Sequence, residues 1–373
     1  MKKLITTLSI LFISLGAFAQ FPWERPLKMA WSADGITFGT PAIYQDSSGV
    51  PSVIRWKGDT LICAFQWFRL PQNSPSWDKV AVKFSYDNGL TWTQPAPIII
   101  NGMPPSYQRP FDPTLVTFGS DSLRIFFSSS DGMPQMGLDS TVNTYSAKSN
   151  DGIHYDFEPN ARVDELNNRV IDPAVIHFNN GWHYTAPIGS PQQGAYHFVS
   201  PDGLTFTPVP NIPSDNMHNW TGNMMIDTTN ELRFYGASPN FIWYNSTANG
   251  GVWNGYVNTN IHGGDPGVVK IAPGNYLMIY VGEPYTPAAL DEISERDEVK
   301  FYPNPVTDIL TVECKSAMHN AALSIYNITG VLLSEIKIKG ETSAVDMKGY
   351  AEGIYIIKYV NGKNTVNSKI YKR

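Results

Sequence analysis

Apolar and polar residues alternate over most of this chain in short runs of five to nine positions, broken repeatedly by Gly, Pro, Asn and Asp. That period of two predicts short, half-buried strands joined by tight turns. Aromatic-rich strands are expected over 60–68, 123–128, 182–186, 232–236 and 276–281, each preceded by an apolar run at 50–55, 111–116, 171–176, 221–226 or 264–269. A second set, without tryptophan, is expected at 309–313, 322–326, 331–338, 354–359 and 368–372. One segment breaks the alternation. Lys2 and Lys3 lead into an unbroken apolar run over 4–18 that ends in Ala17-Phe18-Ala19, the pattern of a signal peptide spanning 1–19. No later run is long enough for a membrane span, so no integral membrane segment is expected in the mature protein.

Turn chemistry recurs with the strands. Ser85-Tyr86-Asp87-Asn88-Gly89-Leu90-Thr91-Trp92 is a full Asp-box hairpin. Shorter versions start at Ser32, Ser149 and Ser200, and a degenerate one covers 246–253 with Ala248 in place of the aspartate. In such a turn the aspartate accepts backbone hydrogen bonds, glycine takes positive φ and the aromatic packs beneath, so these aspartates are structural. A second motif interleaves: Val50-Pro51-Ser52, Asp112-Pro113-Thr114, Asp172-Pro173-Ala174, Thr221-Gly222-Asn223 and Asp265-Pro266-Gly267. Together they define a repeat of about 50 residues. The first Asp box precedes any first strand, and the strands begun at Asp265 have no box after them. An all-β, five-bladed β-propeller over 20–290, its last blade closed by strands from both ends, satisfies both facts; six blades is the rival count.

Composition and charge sharpen this picture. The chain of 373 residues carries a formal net charge of −6. The segment from Val299 onward contributes +4 and the signal segment +2, which leaves −12 on the propeller and its linker together with all ten tryptophans. Nucleic acid is thereby excluded as a partner, and a neutral glycan is favoured over an anionic one unless Arg109 or Arg55 reverses the local field. Cys63 and Cys314 lie in separate domains and are expected to be unpaired.

Asp-Pro at the start of an inner strand, with Ser-x-Asp-Gly turns outside, resembles the five-bladed glycoside hydrolases: arabinanases, β-xylosidases and invertase-like enzymes. The resemblance implies funnel carboxyls on separate blades, and Asp112, Asp172 and Asp265 are the catalytic candidates. Arg109 and Arg55, with Trp67, His218, Trp220 and His262, are the substrate-binding candidates, the arginines for anionic groups and the tryptophans for stacking on sugar faces. No metal and no cofactor are implied. The chain departs from the pattern at Val50 and at Thr221-Gly222-Asn223, where the families carry acids; Glu165 and Glu283 are the nearest glutamates in sequence. An exo-acting glycoside hydrolase is the leading expectation. The alternatives are a non-catalytic glycan-binding propeller and a sialidase-like hydrolase drawing on Arg55, Arg109 and Arg233.

The charged, aromatic-free run at 291–300 reads as a linker. Beyond it, Phe301-Tyr302-Pro303-Asn304-Pro305 with Asp308, Ile325-Tyr326-Asn327-Ile328-Thr329-Gly330, Gly353-Ile354-Tyr355 and Lys369-Ile370-Tyr371-Lys372 resemble the C-terminal sorting domain of the type IX secretion system. The resemblance implies a small β-sandwich over 301–373, the type IX machinery as a partner, and a protein that is secreted or attached at the outer surface.

Overall fold

Each of the five repeats folds into one sheet. The computed structural model describes residues 25–69, 77–119, 121–131, 142–165, 168–283, 299–314, 321–327, 331–338, 340–361 and 364–373. The expected signal segment and most of the expected linker lie outside the described residues. Two units divide between Tyr285 and Thr286.

The first unit opens with β1 (Leu27–Ser32) and β2 (Ala42–Gln45). Sheet I then forms from β3 (Ser48–Arg55), β4 (Leu61–Phe68), β5 (Trp77–Ser85) and β6 (Ala96–Pro97), paired in that order. Sheet II contains β7 (Ile99–Asn101), β8 (Phe111–Phe118), β9 (Ser122–Ser130), β10 (Val142–Ser149) and β11 (His154–Val163). Its four main strands pair in sequence, and β7 adds a fifth that runs parallel to β11. Sheet III is β12 (Ala174–Phe178), β13 (Gly181–Pro187), β14 (Ala195–Ser200) and β15 (Thr207–Pro208); sheet IV is β16 (Asn219–Thr228), β17 (Glu231–Ala237), β18 (Ile242–Thr247) and β19 (Trp253–Asn258). Sheet V starts with β20 (Gly264–Ala272) and β21 (Asn275–Val281), and β1 and β2 complete it in the order β2-β1-β21-β20. Residues from Leu27 to Ser32 pair antiparallel with those from Val281 back to Tyr276. The Phe38 N–H donates to Asn260 Oδ1 at 2.7 Å, and Asn260 Nδ2 donates back to the Phe38 carbonyl at 2.8 Å.

The first strands of the sheets meet in cyclic order: β3 touches β8, β8 touches β12, β12 touches β16, β16 touches β20, and β20 returns to β3. Where they converge, the motif positions after the prolines carry small or hydrogen-bonding side chains. Ser52 Oγ accepts from the Leu115 N–H at 3.0 Å, Thr114 Oγ1 donates to Asn223 Oδ1 at 3.1 Å, and Asn223 Nδ2 donates to the Pro51 carbonyl at 3.1 Å. At Gly267 even a methyl group is too much, because its Cβ would lie 2.6 Å from the Pro51 carbonyl oxygen. The divergent fourth motif is thus explained: Asn223 spans the axis and supplies both a donor and an acceptor.

The Asp-box turns link neighbouring sheets. Ser200 Oγ accepts the Gly203 N–H, and Asp202 Oδ1 accepts those of Leu204 and Thr205; the turns at Ser32, Ser85 and Ser149 repeat this scheme. A Cβ on Gly89 would strike Leu277 and Trp31 of sheet V, one on Gly152 Ile62 and Phe84 of sheet I, one on Gly203 Arg124 of sheet II, one on Gly250 His183 of sheet III, and one on Gly35 Tyr235 of sheet IV. Each turn therefore packs on the sheet before its own, all the way round. The fifth turn corrects the sequence reading by one register. Thr247 and Asn249, not Ser246 and Ala248, stand in the serine and aspartate places, with Asn249 Oδ1 accepting the Gly251 and Val252 N–H groups. Asparagine offers the same carbonyl acceptor as aspartate, so the turn survives without the charge.

The second unit has seven strands where five were expected: β22 (Val299–Tyr302), β23 (Ile309–Cys314), β24 (Ala321–Asn327), β25 (Leu332–Ile338), β26 (Thr342–Asp346), β27 (Gly353–Asn361) and β28 (Asn364–Lys372). They form the sheets β22-β23-β26 and β25-β24-β27-β28 around Leu310, Val312, Leu323, Ile325, Ile357 and Ile370. Asn304 of the proline-rich motif clasps the chain end: its Oδ1 accepts the Tyr371 N–H at 2.9 Å and its Nδ2 donates to the Lys369 carbonyl at 2.8 Å. Cys63 and Cys314 are both buried and unpaired.

The axis contact gives a stability prediction. Gly267→Ala is expected to destabilise the protein by about 2–3 kcal/mol in urea unfolding, since the added methyl meets backbone that cannot yield. An unchanged midpoint would show that the axis has room.

Candidate active site

The inner strands β3, β8 and β20 begin with a common irregularity. One extra residue is inserted between paired positions 49 and 52, 111 and 114, and 264 and 267. Within it Val50, Asp112 and Asp265 take left-handed backbones, with φ of 47°, 50° and 42°, and Asp172 does the same at 53° ahead of β12. Left-handed φ is uncommon outside glycine, so these positions carry strain of roughly 1–3 kcal/mol each. Sheet IV departs again, with two extra residues between Asn219 and Gly222.

The bulges on β8 and β20, with the left-handed residue ahead of β12, bring the three aspartates together at one end of the ring. The Asp172 N–H donates to Asp112 Oδ2 at 3.3 Å, and the Ser128 hydroxyl donates to the same oxygen at 3.1 Å. Burial pushes the Asp112 carboxyl up to about 6; those two hydrogen bonds and the nearby Arg109 charge oppose the rise, and the Asp265 charge adds to it. Asp172 is held well above the usual carboxylate range by burial first and then by repulsion from Asp112 and Asp265, with Arg169 pulling the other way. Asp265 is also raised by burial, against the Thr221 hydroxyl and the Arg25 charge. The turn aspartates behave oppositely. N–H groups of Thr37 and Thr205 hold Asp34 and Asp202 below the usual range, and the Thr91 hydroxyl brings Asp87 down to about 2. One residue type thus serves two purposes, separated by solvation. Among the described residues no three His, Cys, Asp or Glu side chains form a cluster that could hold a metal ion.

A cavity of about 430 Å³ opens beside Asp172 between sheets III and IV. Arg169, Asn168, Tyr196, Asn219 and Thr221 line it with Asp172, and Thr221 connects it to Asp265. Arg109 stands near Asp112 but is taken by Asp78, whose Oδ2 accepts from Arg109 Nε at 2.6 Å while Oδ1 accepts from Gln66 at 2.6 Å. Asp78 and Arg169 were not anticipated. Arg169 stands three residues before Asp172, the spacing that also separates Arg109 from Asp112 and His262 from Asp265, and that repeat position is the signal that could have found it; nothing in the sequence around Asp78 distinguishes that residue.

The other expected binding residues separate from this cluster. Arg55 sits at the far end of β3, where it donates to Asn88 Oδ1 and the Ile271 carbonyl at 2.8 Å each. Trp67 and Trp220 are core residues, the latter wedged among Phe234, Trp243 and Trp253. His218 bonds Asp215 and stacks on Tyr256 of β19 at 3.8 Å, toward the outer edge of its sheet. His262 is exposed and rests against Phe241. Arg233 pairs with Asp227 and Glu231, so Arg55, Arg109 and Arg233 are each engaged by different partners and do not form a triad. Glu165 lies near Tyr184 and Tyr196, and Glu283 near Tyr280.

Residues 300–373 match the family described as the secretion system C-terminal sorting domain. No curated protein matches the chain. Among solved structures, the chain is similar to a GH32 β-fructofuranosidase of Bombyx mori, with 13% identity, 94% of this chain and 89% of that one covered, and a TM-score of 0.48. It is similar to the RS223 β-xylosidase at 11% identity, 69% and 93% coverage and a TM-score of 0.45. It is also similar to the Hadza microbial sialidase Hz136 at 11% identity and a TM-score of 0.42, covering 66% of this chain and 56% of the sialidase. Likenesses at this level assign no activity. The sorting domain makes the chain a substrate of type IX secretion, secreted or attached at the outer surface. Among the described residues no helix is long and apolar enough to cross a membrane.

The raised Asp112 carboxyl predicts a pH-dependent cost. Its folded value of about 6 exceeds the ordinary 3.8, so the stability it contributes is full below pH 4 and is lost as the pH rises through 6. Between pH 4 and pH 8, thermal unfolding should shift in favour of Asp112→Asn over the parent by on the order of 1–2 kcal/mol. A constant difference across that range would mean that the carboxyl is not perturbed.

Proposed function

We propose that the first unit is a five-bladed propeller acting on glycan as an exo-acting glycoside hydrolase, with Asp112, Asp172 and Asp265 as the working carboxyls. The observation that carries this reading is the convergence of three aspartates from the starts of three inner strands, all raised, at one end of the ring. Hydrolysis of a glycosidic bond needs one carboxyl that still holds a proton at neutral pH and another that is ionised. Asp172, enclosed and flanked by two acids, suits the first role and protonates the departing glycosidic oxygen. Asp265, supported by the Thr221 hydroxyl and Arg25, suits the second and takes a proton from the attacking water as its oxygen bonds the anomeric carbon. Asp112 acts by position: its carboxylate holds the Asp172 backbone and raises the Asp172 carboxyl.

The cavity beside Asp172 suits a short glycan end better than the run of a long chain, which supports exo action. Removal of the sorting domain after transport would leave this unit intact. A glycan-binding protein without turnover is the second reading. Val50 favours it, because sheet I carries no acid at the place equivalent to Asp112 and Asp265.

Screening the purified protein on a panel of aryl glycosides tests the hydrolase. On the substrate that is turned over, Asp172→Asn should lower kcat by about 10²–10⁴-fold with a smaller effect on KM. Binding on a glycan array with no turnover in the panel would favour the second reading, and an Asp172→Asn enzyme of full activity would remove Asp172 from the chemistry.

A further inference from the structure

Sheet III turns one face toward sheet IV, and two histidines stand on it. Thr185 pairs with Ala174 on one side and with His197 on the other, so these residues share a face with His183 and Ala195. Ala174 and Ala195 belong to one apolar cluster with Trp220, Phe234 and Trp243 of sheet IV. His183 and His197 are 9% and 4% exposed, and their rings stack with centroids 6.0 Å apart and 20° between planes. The turn of sheet IV closes over them, since a Cβ on Gly250 would lie 2.3 Å from His183 Cε1.

We propose that His183 and His197 form an acid-sensitive latch between sheets III and IV, which holds the contact while both rings are neutral and loosens it when either takes up a proton. A neutral imidazole has one donor nitrogen and one acceptor, and protonation makes both of them donors. The Phe178 carbonyl serves the first ring and the Pro210 carbonyl the second, while His183 Nδ1 and His197 Nε2 have no partner among the described residues. A second proton would be buried with its charge uncompensated. The titratable groups that act on the rings are themselves histidines, His177 on His183 and His183 on His197, and no carboxylate does so among the described residues. Thr185 adds only a neutral hydroxyl, and the facing cluster of sheet IV is apolar. The turn seated on His183 is also the one of the five with Asn249 in the aspartate place, so it brings no acid to the ring. At the turn of sheet II, by contrast, Asp151 pairs with His154 Nδ1 at 2.8 Å.

The sign follows from burial. His183 is lowered and His197 is lowered to about 4, against an ordinary 6.5, so the unfolded chain takes up protons first. Stability from the latch is full above pH 6.5 and is lost as the pH falls toward 4, by about tenfold in the folded-to-unfolded ratio per pH unit for each ring. The test uses the full chain and the double variant His183→Gln, His197→Asn, whose amides keep a donor at the places of Nε2 and Nδ1 without titrating. Asp112 changes stability in the opposite sense in both proteins, so the quantity read is the difference between them. From pH 7 to pH 5 in urea unfolding, the parent should lose at least about tenfold more of that ratio than the variant. Hydrogen exchange, corrected for its intrinsic rate, should show β13, β14, β17 and β18 losing protection in acid ahead of sheet I in the parent and not in the variant. Equal pH dependence of the two proteins, or protection lost evenly over all five sheets, would overturn the latch. Carbon resonances of the two rings in the parent provide a check that needs no variant to fold. Both rings should remain neutral at pH 5.5, and a ring that titrates near 6.5 would also overturn it.

Discussion

Everything at the candidate site depends on how little room there is where the five inner strands converge. At that level Ser52, Thr114, Asn223 and Gly267 fill the axis with hydrogen bonds and with the absence of a side chain. A polar layer of this kind is stable only when each member is satisfied, and here each finds its partner on a different sheet. The consequence is a fixed floor. Asp112 and Asp265 stand two residues earlier on bulged strands and Asp172 directly ahead of β12, so their height and direction are set by the packing of the inner strands. A site supported by strands in this manner holds its geometry better than one assembled from flexible connections.

The same floor forces an electrostatic conflict. Three carboxyls are crowded into a partly desolvated space, and the arginines near them, Arg25, Arg109 and Arg169, offset the crowding without abolishing it. The unit also carries left-handed backbones at Val50, Asp112, Asp172 and Asp265. Strain and like charge at one end are opposed by the rest of the ring. Large aromatic cores lie between the sheets, and a buried Asp227 accepts from Arg233, Lys270 and Tyr276. The exposed turns contribute as well, because their ionised aspartates are already in their preferred state.

What the sequence revealed follows from what repeats. Residues at equivalent places in five motifs, such as Asp112, Asp172 and Asp265, could be aligned with one another, and their shared place on the inner strands followed. Arg55 was misplaced for a physical reason. It closes its motif five residues beyond Val50, and five residues of strand cover roughly 16 Å, which carries Arg55 to the opposite end of β3. Trp220 and Trp67 show another limit, since an aromatic residue at a strand position gives no sign of whether it faces solvent or the neighbouring sheet. Arg169 was legible as the repeat equivalent of Arg109 and His262, three residues before its aspartate, whereas Asp78 lies in a segment that no repeat registers and only the folded chain brings it to Arg109. The fifth turn was misread because hydrogen bonding, and not residue identity, defines it: Thr247 and Asn249 do the work of serine and aspartate.

The pairing of β1 with β21 also constrains the order in which the molecule can be made. β1 precedes its partner β21 by about 250 positions, so this closure carries the largest loop entropy in the unit. Until β21 is present, β1 and β2 have no sheet to join and the ring has an open side. The unit acquires its closed form only when its last strand is present.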